Sequence, residues 1–152
     1  MKIITTIIFV LIAFTIAFTQ TKDITTINEG NKEMNKNVQT MIKVYIAGPY
    51  SKGDVAINVR NAFAAADTLA DLGFAPFVPH STHFWHMMFP RPYDFWLKLD
   101  KQFLPCCDAL LRLPGESHGS DTEVEFAKQL NIPVFYQIDS LVQHFNKINQ
   151  PK

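Results

Sequence analysis

The sequence has little of what marks several common classes of protein. Its two cysteines, Cys106 and Cys107, are adjacent and cannot link distant segments, so the fold does not rest on a framework of disulfides. Basic and acidic residues number 14 each, and a net charge of zero argues against a nucleic-acid backbone as the main partner. The apolar run over residues 3–18 is shorter than the roughly 20 residues that a membrane-spanning helix needs. No internal repeat is present.

The N-terminal part differs in composition from the rest. Residues 1–19 combine an early positive charge, Lys2, with a short apolar run and small residues, which is typical of a secretory signal peptide. A short uncleaved hydrophobic anchor is the alternative, and it is the only way in which we expect contact with a membrane. Residues 20–40 are polar and without periodicity, which predicts a disordered linker. We therefore expect a secreted or lumenal protein if the signal is used, and a cytoplasmic one if translation starts at Met41.

Residues 41–148 alternate between strand and helix patterns, and they can form one domain with one core. The pattern predicts strands over 42–47, 74–78, 109–113 and 133–136. It predicts helices over 54–73, 93–107, 122–131 and 139–146, and an irregular aromatic segment over 79–92. This alternation indicates an α/β domain of the flavodoxin-like or Rossmann-like class. We expect an open parallel sheet of four to five strands with helices on both faces.

Three segments with polar side chains are expected at the carboxyl edge of this sheet, where open α/β domains bind ligands. The first is the end of strand one, with Tyr45 and Gly48, and the second is Asp100 on the helix before strand three. The third is the loop over residues 114–122, which leads into a helix carrying Glu123. Backbone N–H groups at the start of that helix are suited to an anion. Together these segments favour sugar or nucleotide chemistry.

The same segments carry three motifs in register. They are Y-I-A-G-P-Y over residues 45–50, D-x-x-x-L-x-x-x-D over 100–108 and S-x-G-x-x-x-E over 117–123. With these motifs the chain resembles the nucleoside 2-deoxyribosyltransferase superfamily over residues 42–138. Within it, the resemblance points to the small branch with the Y-I-A-G-P-Y start, which is related to 2-deoxynucleoside 5-phosphate N-hydrolases.

The resemblance implies an enzyme that cleaves or exchanges the N-glycosidic bond of 2-deoxyribonucleosides or their 5′-monophosphates. Glu123 would attack the anomeric carbon and form a covalent glycosyl-enzyme, as a retaining mechanism requires. Tyr45 would orient Glu123, and Asp100 would protonate the leaving base, for which its pKa must be raised. No cofactor is implied. The family completes its sites across dimer contacts, so a homodimer or higher homo-oligomer is expected.

Five further residues are predicted to bind the substrate. Gly48, Ser117 and Gly119 match ligand-binding positions, while His80 and Trp85 belong to an aromatic segment suited to a flat base. Strand one is not followed by the serine- and arginine-bearing phosphate loop of the hydrolase branch. Lys52 could replace it as a point charge, which leaves the need for a 5′-phosphate open.

Three histidines spaced H-x-x-H-x-x-H, at residues 80, 83 and 86, invite a metal interpretation. No nearby cysteine or patterned acid completes a zinc set, so we expect no metal site. Two other acids have structural interpretations: Asp108 as a turn or cap residue, and Glu125 as a solvated or structural one.

Two other functions stay open from the sequence. One is a phosphoribohydrolase-like nucleotide hydrolase, suggested by P-G-x-x-x-G-x-x-T-E, although Arg112 lies before this loop and not on the following helix. The other is a catalytically silent module that binds a nucleotide. The sequence also leaves open whether water or a base is the acceptor, and which base is preferred.

Overall fold

The fold is an open parallel sheet of four strands in the order β2-β1-β3-β4, as seen in a computed structural model that describes residues 40–148. This confirms the predicted flavodoxin-like α/β class. The predicted signal peptide or anchor and the predicted linker lie outside the described residues, except for Thr40. Between residues 40 and 148, no helix is long and apolar enough to cross a membrane.

Short strands alternate with helices along the chain. The strands are β1 (Lys43–Ala47), β2 (Ala75–Phe77), β3 (Ala109–Arg112) and β4 (Val134–Phe135). The α-helices are α1 (Val55–Asp71), α2 (His83–Met88), α3 (Tyr93–Phe103), α4 (His118–Gln129) and α5 (Ile138–Ile148). Single 3-10 turns span Pro79–Thr82 and Leu104–Cys106.

Alternation along the two central strands divides the core between two faces of the sheet. Val44 and Ile46 of β1 face a cluster that includes side chains of α1 and α5. Tyr45 and Ala47 face a second cluster, which includes Leu104 after α3 and side chains of α4. The period of two in β-strands causes this division. Helices therefore cover both faces, as expected.

Three features differ from the sequence prediction by more than two residues. The aromatic segment is not irregular, since it forms the 3-10 turn over Pro79–Thr82 and then α2. The helix predicted over residues 93–107 ends at Phe103, where Pro105 follows and supplies no backbone N–H.

The third difference alters the candidate site. Helix α4 begins at His118 instead of Thr122, because Ser117 caps it by accepting a hydrogen bond from Ser120 N at 3.2 Å. Ser117 and Gly119 therefore form the cap and first turn of α4 instead of a free loop. Glu123 is the sixth residue of this helix.

Candidate active site

A buried phenol and a buried carboxylate meet at the carboxyl edge of the sheet. Tyr45 Oη donates a hydrogen bond to Glu123 Oε1 at 2.6 Å, across 78 residues of sequence. Tyr45 has no exposed surface and Glu123 is 6% exposed. Burial, followed by the nearby carboxylates, raises the pKa of Tyr45 well above its usual range, so the phenol stays a donor. Because the hydrogen bond from Tyr45 occupies Oε1, Oε2 is the Glu123 oxygen that is free to contact a ligand.

The carboxyl group of Glu123 titrates far from its ordinary value. Its pKa is raised to about 7, chiefly by burial; the hydrogen bond from Tyr45 lowers it and the charge of Asp100 raises it. Arg112 and Lys101 are the cations that lower it. Burial also raises the pKa of Asp100, to about 6. Two carboxyl groups with raised pKa values in one site are a common feature of acid–base and nucleophilic catalysis.

Both carboxylates line a cavity of about 530 Å³ that opens above the sheet edge. This volume suits a small organic molecule. Its walls come from the loop after β1, the segment from Pro79 to α3, and the start of α4. The lining residues are Ile46, Gly48, Tyr50, Ser51, Lys52, Pro79, His80, Thr82, His86, Arg91, Tyr93, Trp96, Leu97, Asp100, Glu116, Ser117, His118, Gly119, Ser120 and Glu123.

Ser117 and Gly119, which the sequence predicts to bind the substrate, line this cavity. Each of them also makes a contact within the protein. Ser117 Oγ accepts hydrogen bonds from the backbone and the hydroxyl of Ser120, at 3.2 and 3.0 Å, and so keeps only its own proton to offer a ligand. A Cβ on Gly119 would lie 2.6 Å from Tyr93 Oη. Gly119 therefore makes room for the Tyr93 phenol at the cavity wall.

Gly48 and His80 also line the cavity. A Cβ on Gly48 would lie 3.1 Å from Leu113 Cδ1, so the loop after β1 packs closely against the loop after β3. His80 is 6% exposed, and its Nε2 lies 2.9 Å from the carbonyl oxygen of Pro49, which requires the proton on Nε2. Burial lowers the pKa of His80, so the ring is neutral. His80 thus fixes the loop after β1.

Trp85 lies apart from the other predicted site residues, outside the lining of the cavity. Its indole packs edge-on against Phe95 and Trp96, with ring centroids 6.2 and 5.2 Å away. Because α2 is a helix, it turns Trp85 away from the cavity and turns His86 towards it. Trp96 and Tyr93 of α3 line the cavity instead.

The other two histidines of the H-x-x-H-x-x-H motif have separate partners. His83 Nδ1 is 2.9 Å from Tyr50 Oη, and His86 Nδ1 accepts from Trp96 Nε1 at 2.9 Å. Within residues 40–148, no group of three or more His, Cys, Asp or Glu side chains is placed to hold a metal ion. Asp108 Oδ2 accepts from Lys43 N at 2.7 Å, so Asp108 joins the starts of β1 and β3 across 65 residues of sequence instead of capping a local turn.

Arg112 is a functional candidate whose role the sequence did not indicate. It is 8% exposed and bonds to Asp121 Oδ1, with Nη2 at 2.9 Å and Nε at 3.3 Å. One sequence signal could have indicated this role. Arg112 ends an otherwise apolar strand and lies nine residues before Asp121, an aspartate in the first turn of a helix. Tyr93 was missed for another reason, since nothing local shows that its phenol reaches α4.

The fold and the site together define an α/β domain with a cavity at the carboxyl edge of its sheet, lined by a carboxylate that a buried phenol holds from behind. The family model described as "Domain of unknown function (DUF7768)" matches residues 42–137, and the chain belongs to this family. No protein with a curated description matches it. Among solved structures, it is similar to a 2-deoxyribosyltransferase from Bacillus psychrosaccharolyticus, with 22% identity and a TM-score of 0.47. The similarity covers 60% of this chain and 69% of that one.

Proposed function

We propose that this protein is an enzyme that cleaves or exchanges the N-glycosidic bond of 2-deoxyribonucleosides or their 5′-monophosphates. The observation that carries the proposal is the 2.6 Å bond from Tyr45 to Glu123, beside a second cavity-lining carboxyl group, Asp100. The motifs over residues 45–50, 100–108 and 117–123 support the same reaction.

The proposed first step forms a covalent intermediate on Glu123. Its Oε2 attacks C1′ of the sugar, the bond from C1′ to the base nitrogen breaks, and the electron pair leaves with the base. Asp100 gives the leaving nitrogen a proton, which its raised pKa allows near neutral pH. Tyr45 holds the orientation of Glu123 throughout.

In the second step, an acceptor attacks C1′ and releases Glu123. The acceptor gives up one proton to Asp100 in either case: water yields 2-deoxyribose or its 5-phosphate, whereas a second free base yields a new nucleoside or nucleotide. Either route inverts C1′ a second time, so the overall result is retention of configuration. The two outcomes share one intermediate and differ only in the acceptor.

A chromatographic panel of nucleosides and nucleoside monophosphates, with and without an added free base, tests this proposal. We expect base release by the wild type and a loss of about 10³-fold or more in Glu123→Gln. The matched control is Glu125→Gln, because Glu125 lies on the same helix but is exposed and pairs with Lys128 at 2.7 Å. The control should keep wild-type activity.

Two results would reject the proposal. One is that the wild type releases no base from any deoxy- or ribonucleoside or monophosphate. In that case, a nucleotide that binds without turnover would favour the silent binding module. The other is that Glu123→Gln retains activity equal to that of Glu125→Gln.

The phosphoribohydrolase alternative cannot use Arg112 as its phosphate partner. Arg112, the arginine nearest the glycine-bearing loop, does not line the cavity and is bonded to Asp121. Release of base from ribonucleoside 5′-monophosphates and from no deoxy compound would favour this alternative.

A further inference from the structure

Arg112 is the largest polar side chain buried beside the site, and the proposed chemical steps do not use it. It is 8% exposed and ends β3, where its register partner on β1 is Ala47. The alternation along β3 places it on the face of the sheet that carries Leu110 and Tyr45. A buried guanidinium needs a partner for nearly every N–H group to offset its loss of hydration.

Its partners are all in the connection from β3 to α4. Nη1 donates to the carbonyl oxygen of Leu113, and Nη2 donates to that of Gly115 at 2.9 Å. Nη2 and Nε also donate to Asp121 Oδ1, at 2.9 and 3.3 Å. One planar group thus joins the end of β3, the turn that follows and the first turn of α4. A lysine ammonium cannot reproduce this fork.

The turn that Arg112 holds leads directly to the cavity. Gly115 has a φ of +111°, and a Cβ there would lie 2.8 Å from Pro49 Cγ, so this turn packs against the loop after β1. Ser117 caps α4 two residues later, and Glu123 lies one and a half turns into the helix. A shift of the turn would therefore move both the cap and the carboxylate.

Arg112 also acts on Glu123 through its charge. Four groups affect the pKa of Glu123: Tyr45 from β1, Asp100 and Lys101 from α3, and Arg112 from β3. The carboxylate of Glu123 in turn raises the pKa of Tyr93. Asp100 and burial raise the pKa of Glu123, whereas Tyr45, Arg112 and Lys101 lower it. Lys101 does not line the cavity and its Nζ lies 5.6 Å from the centre of the Phe126 ring. Arg112 is thus the buried cation among these groups.

We propose that Arg112 is a positioning residue, which fixes the β3–α4 turn and holds a buried positive charge on the face of the sheet where Tyr45 meets Glu123, so that the carboxylate is aligned and its ionised form is favoured. The activity arm of its test rests on the proposed function, whereas the titration arm does not.

The titration arm follows the free energy of unfolding against pH. The difference between wild type and Glu123→Gln reports the pKa of Glu123 in the folded protein, because other groups largely cancel. Repeating this comparison in an Arg112→Gln background should move the midpoint upward by about one pH unit, a tenfold loss of carboxylate at a given pH. Lys128→Gln is the matched control, since it removes an exposed cation from α4 and should not move the midpoint.

The activity arm measures base release against pH in the same variants. In Arg112→Gln the acidic limb of kcat/KM should move upward with the titration midpoint, and it should stay in place in Lys128→Gln. If the wild type has no activity, the proposed function fails while the titration arm still decides the role of Arg112. An unmoved midpoint in Arg112→Gln would overturn the inference even in an active enzyme.

Arg112→Lys covers the case in which Arg112→Gln does not fold. It keeps the charge and loses the fork, so amide hydrogen exchange over residues 113–121 should become at least tenfold faster. Exchange at the wild-type rate in this variant would overturn the positioning role.

Discussion

The two faces of the sheet bury different kinds of side chain. On the face covered by α1 and α5, the buried cluster is wholly apolar, with Ile46, Leu69 and Leu141 among its members. On the face covered by α3 and α4, apolar packing around Leu110 gives way at the carboxyl edge to buried polar groups. Those groups are Tyr45, Arg112, Ser120 and Glu123, and a further buried polar side chain, His80, lines the cavity.

This difference between the two faces has opposite effects on the stability of the fold. Burial of apolar surface stabilises a fold, whereas burial of a carboxyl group costs free energy once the group is ionised. Glu123 has a pKa of about 7 because it is buried, so its face of the sheet is less stable at neutral pH than an apolar face would be. We infer that both faces contribute apolar packing and that the second face bears this cost at its carboxyl edge, where the proposed reaction needs the carboxylate.

The largest effect is expected on the apolar face. Leu69→Ala removes a side chain with no exposed surface and should lower the free energy of unfolding by about 2–5 kcal/mol. Activity per folded molecule should stay unchanged. Urea unfolding measures the loss, with Leu72→Ala as a control, because Leu72 ends the same helix at 49% exposure. Equal losses in the two variants would contradict the assignment of this face.

On the polar face, removal of the charge should stabilise the protein. The pKa of Glu123 is raised from 4.5 to about 7. Between these values the folded state holds a proton that the unfolded state has released, so the stability that this group contributes is lost as pH rises. Glu123→Gln keeps an acceptor for Tyr45 and should gain about 3 kcal/mol over the wild type by pH 8. Thermal or urea unfolding at pH 4 and pH 8 tests this, and a gain of the same size at both values would contradict it.

Tyr45→Phe should affect the site more than the core. It deletes one hydrogen bond to a charged group, which is worth about 1.5–3 kcal/mol, so activity at pH 7 should fall roughly 10- to 100-fold. Because that bond lowers the pKa of Glu123, the acidic limb of the pH profile should move to higher pH in this variant. Profiles of kcat/KM measure both effects. A loss of activity without any movement of the limb would mean that Tyr45 does not tune Glu123.

The smallest effect concerns the contact between Gly119 and Tyr93. Alanine in a helix is favoured over glycine by about 1 kcal/mol, but here a Cβ would lie 2.6 Å from the Tyr93 hydroxyl. Gly119→Ala alone should therefore change stability little, since the two terms oppose each other. In a Tyr93→Phe background the same change should stabilise by about 0.5–1 kcal/mol. If Gly119→Ala alone raised the free energy of unfolding by the full 0.5–1 kcal/mol, the position of the Tyr93 hydroxyl would not require glycine at residue 119.

The sequence anticipated the sheet, its helices on both faces and the edge where the site lies. It predicted the start of α4 four residues too late, because serine and glycine have low helix propensity. The helix begins earlier because Ser117 caps it by accepting a hydrogen bond from Ser120 N. The sequence also assigned Trp85 to the cavity, since the helix α2 was not recognised within the aromatic segment. Both errors concern the direction of side chains in short segments, which local patterns determine weakly.

The sequence by itself determined the order of strands and helices, because hydrophobic periodicity and turn residues act over a few neighbours. That order was enough to bring the segments of Tyr45, Asp100 and Glu123 to one edge of a parallel sheet. Only the tertiary structure decided that Tyr45 bonds to Glu123, that Arg112 holds the turn before α4 and that Gly119 admits Tyr93. These contacts depend on packing between distant segments, and the same packing removes the water that would otherwise keep the pKa of each carboxyl group near its ordinary value.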